Sequence, residues 1–164
     1  MEKDEIMKKI VSVILSFVLL FSMGVNVTAA NFDDLGKVVD GSRLLNVSES
    51  TVTLESFDRG NILNNGTASV ANNGNGEVNV SGSVLAGVVC DKLLLKMRLQ
   101  RYSGGYWEDV KTFSDTRYNH SLLTKSYNVS VTKGYYYRVK AACFAYKGDT
   151  VETKMPVTNG IWID

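Results

Sequence analysis

The amino-acid sequence predicts an all-β protein, folded as a small antiparallel β-sandwich of about seven strands. Clusters of Asn and Gly recur at short intervals after residue 60, at 64–66, 72–76, 103–105 and 147–149. Such clusters are typical of tight turns. Between them no segment has the helical period over the length of about ten residues that a helix usually needs. Apolar and polar residues instead alternate, which is typical of strands with one buried face.

The clearest strand covers residues 92–102, where every second residue from 93 to 99 is apolar. Its apolar face carries Leu93, Leu95, Met97 and Leu99. Ser103, Gly104 and Gly105 then permit a tight reversal into a second strand over residues 106–113. The sequence therefore predicts a hairpin here.

Further strands are predicted from the same alternation over residues 77–85, 127–131, 135–145 and 150–154, with a closing strand over 161–163. In the first of these, Gly82 takes the place of an apolar side chain in the alternation. Shorter segments near Ile62 and Ala68 add one or two edge strands. Pro156, the only proline, restricts its stretch to an edge, a bulge or a strand break.

The N-terminus predicts a signal peptide over residues 1–30, whose helix precedes the domain. An apolar run over residues 10–23 directly follows Lys8 and Lys9. It is shorter than the roughly 20 residues that span a bilayer, and small residues follow it at 28–30. We therefore expect cleavage, secretion and no stable membrane anchor afterwards. Met7 opens a more typical signal than Met1 does, because three of the six residues before it are acidic.

The remaining chain divides into an acidic polar linker or arm, residues 31–59, and a β-sandwich domain, residues 60–164. The first part holds more acids than bases and few large apolar residues. The whole chain has a net charge of +1. That balance does not indicate nucleic acid or a strongly acidic partner.

Two resemblances follow from particular motifs. The run GYYYRVKA at 134–141 resembles the sixth strand of immunoglobulin-like and fibronectin type III-like sandwiches, where a tyrosine hydrogen-bonds back to the preceding corner. The segments RGNIL, NGNGEVNVSGS, LQRYSGGYWEDVKTF, VSVTKGYYYRVKA and NGIWI resemble the domain-of-unknown-function family 6147 of small secreted Gram-positive bacterial proteins. That resemblance implies export and one β-rich domain, but no activity or binding residue.

The best candidate binding patch is the hairpin tip, which carries Tyr102, Tyr106 and Trp107. Aromatic faces beside amide and charged groups bind sugars and protein partners. We therefore expect a cell-wall or host glycan, or a protein partner, at this tip. The alternative is that these aromatics are ordinary core residues.

No catalytic, cofactor or metal site is predicted. His120 is the only histidine, and it falls in a polar stretch without a second imidazole. Glu108 and Asp109 are adjacent on a strand, so they point to opposite faces and cannot flank one scissile bond without a bulge. The sequence therefore favours a non-enzymatic, exported interaction or envelope-associated domain; the alternative is a secreted enzyme or toxin-like effector.

Cys90 and Cys143 are the two cysteines of an exported chain, which predicts a disulfide between them. Matching the apolar residues of strands 92–102 and 135–145 places Cys143 opposite residue 91. Cys90 is then one position out of register, and the bond needs a bulge near Asp91.

Overall fold

The computed structural model describes residues 30–56 and 62–164, and these form an all-β structure. Within them one short 3-10 helix, Phe32–Asp34, precedes nine strands. The strands are β1 (Val38–Val39), β2 (Ser42–Leu45), β3 (Glu49–Glu55), β4 (Leu63–Gly74), β5 (Glu77–Ser103), β6 (Tyr106–Ser130), β7 (Tyr135–Lys147), β8 (Thr150–Lys154) and β9 (Gly160–Ile163). None of the described helices has the length and apolar character to cross a membrane. The predicted signal peptide lies outside the described residues, apart from Ala30.

All nine strands belong to one mixed sheet. The strand order is β1-β2-β9-β7-β5-β4-β3, with β6 paired to β5 and β8 paired to β7. The β2–β9 pair is parallel, and the other pairs are antiparallel.

The sheet is curled because β5 and β6 are long strands that bend in the middle. The first half of β5 pairs with β4 and its second half with β7, while β6 lies along its other side throughout. A register shift between Leu85 and Cys90 marks the bend. We expected about seven strands in two separate sheets, but the strands run through the bend and nine of them stay connected. The immunoglobulin-like sandwich is therefore not confirmed.

The main core lies between the two halves of this curled sheet. The predicted apolar face of β5 is confirmed, since Leu93, Leu95, Met97 and Leu99 are all fully buried. They pack with Val80 and Val84 from the first half of the same strand. Gly82 allows this close approach, because a Cβ there would lie 2.9 Å from the Met97 sulfur.

The start of β7 contains the corner contact expected of its tyrosines. The Tyr137 hydroxyl donates a hydrogen bond to the Thr132 carbonyl oxygen at 2.7 Å. Burial raises the pKa of Tyr137, which keeps the hydroxyl protonated as a donor. The contact fixes the turn before β7, whose outer side forms part of the site described below.

The predicted arm contributes three strands to the sheet, β1, β2 and β3. Leu44 on β2 is fully buried, and Phe32 packs edge-on against Trp162 with ring centroids 5.5 Å apart. Leu44, Tyr102 and Tyr136 form a second, smaller core on the outer side of the sheet. The segment is thus part of the folded unit, and it covers the base of the β5–β6 hairpin tip.

The two cysteines lie apart. Cys143 pairs with Leu95 in the β5–β7 register, whereas Cys90 pairs with His120 of β6. The expected register, with Cys143 opposite residue 91, is therefore wrong: matching apolar positions fixes which face is buried but leaves a slip by an even number of residues open. Both thiols are free and buried, so the structure contains no Cys90–Cys143 disulfide.

Candidate functional site

The three aromatic residues of the β5–β6 hairpin tip differ in their exposure to solvent. Tyr106 is 59% exposed and Trp107 is half-buried, but Tyr102 is only 2% exposed. Of the three residues in the predicted patch, Tyr102 is therefore buried and cannot contact a ligand directly, and the binding role of the tip stays a prediction. The cause of this burial is the docked arm, because Leu44 and Val39 pack over the Tyr102 ring together with Tyr136. The candidate surface therefore narrows to Tyr106 and the open side of Trp107.

Trp107 is held in place from three directions. Its indole Nε1 donates to the Val39 carbonyl oxygen at 3.1 Å. The guanidinium of Arg138 lies over its ring, 4.3 Å from the centroid. Gly160 of β9 lies beneath it, where a Cβ would be 2.6 Å from the ring carbon Cη2. Only a glycine at 160 leaves room for this indole position.

Arg138 is the buried centre of the site, with 1% of its surface exposed. Its Nη2 pairs with Asp40 Oδ2 at 2.9 Å, and its Nη1 donates to the Ser42 hydroxyl at 2.8 Å and to the Asp40 carbonyl oxygen at 3.2 Å. Its Nε donates to Gln100 Oε1 at 2.9 Å. The guanidinium thus joins the arm, β5 and β7 in one network.

That network continues outward to Asp109 on β6. Gln100 Nε2 donates to Asp109 Oδ1 at 2.6 Å, and Arg98 Nη1 pairs with Asp109 Oδ2 at 3.3 Å. The hydrogen bond from Gln100 lowers the pKa of Asp109, and that from Arg138 lowers the pKa of Asp40. Both carboxyl groups are therefore ionised acceptors near neutral pH.

Around these side chains lies an open pocket of about 450 Å³, here called the tip pocket. Its lining includes Asp40, Gln100, Tyr106, Trp107, Arg138 and Lys140. The pocket thus combines two aromatic rings with acceptors and cationic donors, a combination common in ligand sites.

Asp40 is one site residue that the sequence analysis missed. It adopts a left-handed backbone with φ of 49°, and Gly41 follows with φ of 74°. An Asp-Gly pair between two short apolar segments is a strong signal for a two-residue hairpin. That signal was present at β1 and β2 and could have placed Asp40 at a turn.

Arg138 was also missed, although the alternation over residues 135–145 places it on the face of β7 opposite to Val139 and Ala141. Charged residues are rarely fully buried unless they are paired, so its outward orientation indicated solvent. Two of its hydrogen-bond partners, Asp40 and Ser42, come from residues 31–59, which the charge pattern indicated to be a linker or arm. No residue near Arg138 in the sequence indicates its contact with that segment.

The residues considered for catalysis lie apart. His120 is exposed, and its Nδ1 lies 2.6 Å from the Tyr118 carbonyl oxygen. Glu108 pairs with Arg101 at 3.0 Å on the opposite face from Asp109. In residues 30–56 and 62–164, no group of three or more His, Cys, Asp or Glu side chains is arranged to hold a metal ion.

Comparison with known proteins gives one family. The family model described as "Family of unknown function (DUF6147)" matches residues 39–160, from the end of β1 to the start of β9. No curated protein matches the chain. The matched range includes every named lining residue of the tip pocket.

Proposed function

The chain belongs to the DUF6147 family of unknown function, and we propose that it is an exported, non-enzymatic domain that binds a glycan in the tip pocket. Its place of action would be outside the cell of a Gram-positive bacterium, on wall or host glycans. The observation that carries the proposal is the exposed ring of Tyr106 beside the ordered polar network of Asp40, Gln100 and Arg138.

A sugar ring needs two kinds of contact, and the tip pocket offers both. The apolar face of a pyranose packs on a flat aromatic ring, and its hydroxyls need hydrogen-bond partners. Tyr106 presents the ring, with 59% of its surface exposed. The Asp40 carboxylate can accept from hydroxyls, and the half-buried Lys140 ammonium can donate to them.

Contacts within the protein hold two side chains of the tip pocket in place before a ligand arrives. Trp107 is held between Arg138, Val39 and Gly160, and Gln100 is fixed by hydrogen bonds at both ends of its amide. A preformed site loses little side-chain entropy on binding, which favours affinity for a small ligand.

The protonation states favour binding over hydrolysis. A glycosidase needs one carboxyl group whose pKa is raised so that it can donate a proton near neutral pH. The pKa values of Asp40 and Asp109 are both lowered by hydrogen bonds. Neither carboxyl group near the pocket is therefore suited to be a general acid.

Export is proposed from the sequence alone. The apolar run over 10–23 follows two lysines and precedes small residues at 28–30. Expression of residues 7–164 in a Gram-positive host should release protein into the medium with a new N-terminus at Ala30 or Asn31, measured by mass spectrometry. Retention of the whole chain in the cells would contradict export.

Glycan binding can be tested on an array that carries wall, mucin and plant oligosaccharides. The Tyr106→Ala variant should bind the retained glycans about tenfold more weakly, because the stacking face is lost. Tyr118→Ala is the matched control, since Tyr118 is a 63% exposed tyrosine on the same strand but outside the tip pocket. An array without any retained glycan, or equal binding by both variants, would contradict the proposal.

A further inference from the structure

A second pocket adjoins the first on the outer face of the sheet. This basic groove has a volume of about 410 Å³, and its lining includes Lys96, Arg98, Asp109, Lys140, Ala142 and Met155. Lys140 lines both pockets. One extended ligand can therefore occupy the tip pocket and the basic groove together. We infer that the ligand is an acidic glycan, whose carboxylate, sulfate or phosphate group binds in the basic groove; this rests on the proposed function of the tip pocket.

The groove gathers three cationic side chains on neighbouring strands. Arg98 on β5 pairs in register with Lys140 on β7, and Lys96 lies one step further along the same face of β5. Asp109 balances Arg98 through a contact of 3.3 Å. Within the described residues, neither Lys96 nor Lys140 makes an ion pair within 4 Å, although the charge of Lys140 helps to lower the pKa of Asp40 and of Asp109.

This local charge contrasts with the balanced chain. The net charge of the whole sequence is +1, which gave no reason to expect an acidic ligand. The topology concentrates cations by pairing β5 with β7, which places Arg98 beside Lys140 and Lys96 beside Ala142. A negatively charged group in the groove would be attracted by these basic side chains at short range, and salt would weaken that attraction.

The groove also has an apolar side that suits a sugar. Met155, which is 56% exposed, lines the groove, and so does Ala142, which lies beside Lys96 in the β5–β7 register. A bare anion such as free phosphate would gain nothing from this methionine. The ring of an acidic sugar would pack on the apolar side while its acidic group reaches Lys96 and Lys140.

The carboxylates of the surface favour a glycan over a nucleic acid. A single strand carries a phosphate at every nucleotide, and it would meet both Asp40 and Asp109 with like charge. In a glycan with neutral and acidic sugars, hydroxyls can donate to these carboxylates while the acidic groups meet the lysines. A basic groove beside a pocket rich in hydrogen-bond acceptors thus suits a glycan that contains both neutral and acidic sugars.

The test compares matched ligands by fluorescence anisotropy. The probes are labelled hyaluronan oligosaccharides, which alternate neutral and acidic sugars; the same oligosaccharides with their carboxylates methyl-esterified; and a thymidine oligonucleotide of similar length. Glycan-array hits that exist in acidic and neutral forms are compared in the same way. The acidic glycan should bind at least tenfold more tightly than its neutral form, and raising the ionic strength should remove that difference.

The variant Lys96→Gln should lose about threefold in affinity for the acidic form and little for the neutral form, because Lys96 lines only the basic groove. The control is Lys111→Gln, which removes the same charge from an exposed position outside both pockets. Equal, Tyr106-dependent binding of acidic and neutral forms would overturn this inference and leave the proposed function standing. Binding of no glycan on the array would overturn both, as would preference for the oligonucleotide.

Discussion

The guanidinium of Arg138 lies 4.3 Å from the centre of the Trp107 ring. Both residues also make hydrogen bonds to the β1–β2 hairpin. Arg138 donates to the Asp40 carbonyl oxygen, and Trp107 donates to the adjacent Val39 carbonyl oxygen. Docking of the N-terminal segment and the shape of the tip pocket therefore depend on the same contacts. A change in either residue should therefore affect both the docking of this segment and the shape of the pocket.

Replacement of Arg138 by Gln should lower the free energy of unfolding by about 2–3 kcal/mol. The change leaves the buried Ser42 hydroxyl and the Gln100 amide without their charged donor. Urea denaturation followed by circular dichroism measures the loss. Arg117→Gln is the control, because Arg117 is exposed and makes one hydrogen bond to the Leu122 carbonyl oxygen. Equal effects of the two changes would show that Arg138 does not organise the site.

Replacement of Gly160 by Ala should displace the Trp107 ring. The added Cβ would lie 2.6 Å from Cη2 of the indole, which cannot move aside without losing its hydrogen bond to Val39. We expect a loss of about 1–3 kcal/mol in stability, as for overpacked cores, and a shift in tryptophan fluorescence.

The matched control for that change is Gly87→Ala. A Cβ at Gly87 would approach Asn64 Oδ1 at 2.9 Å. Asn64 can rotate its side-chain amide away at little cost, so stability and fluorescence should stay near the parent values. The same spectral shift in both variants would contradict the placement of Trp107 against Gly160.

The alternation of apolar residues predicted the buried face of β5 correctly, because a period of two follows directly from strand geometry. It could not predict the register between β5 and β7. A shift of the pair by four residues keeps every apolar side chain on the same face, so Cys143 meets Leu95 with no change in the pattern. Register is decided by turns and packing that lie far apart in sequence.

The curl of the sheet could not be predicted from the sequence for a related reason. Strand prediction relies on turn residues to end a strand, and β5 bends at residues 86–89 through a bulge without a Pro or an Asn-Gly pair. The burial of Tyr102 could not be predicted, because its cover, Leu44, comes from a segment whose charge indicated a linker or arm. Long-range contacts of this kind leave no local signature.

The Asp40–Arg138 pair should make stability depend on pH in the acid range. The hydrogen bond from Arg138 lowers the pKa of Asp40 in the folded state below its ordinary value of 3.8. Its contribution is therefore present above that value and is lost as the pH falls through the lower folded pKa.

The Asp40→Asn variant isolates this contribution. The difference in unfolding midpoint between the parent and Asp40→Asn should be constant near neutral pH and should shrink below about pH 4. Asp149→Asn is the control, because Asp149 is exposed and lies at the β7–β8 turn. A difference that stays constant down to the lowest pH would show that Asp40 is not stabilised by Arg138.

The thiol of Cys143 should be inert in the folded protein and free after unfolding. Burial raises its pKa to about 12, so very little thiolate exists near pH 8, and the sulfur lies in the main core. The observed register keeps Cys90 away from Cys143, because Leu95, the partner of Cys143, lies about 16 Å along β5 from Cys90. Iodoacetamide followed by mass spectrometry should therefore label neither cysteine in the folded chain and both in guanidinium chloride without reductant. If neither cysteine is labelled in the denatured chain until a reductant is added, the two are bonded and β5 and β7 pair in a different register.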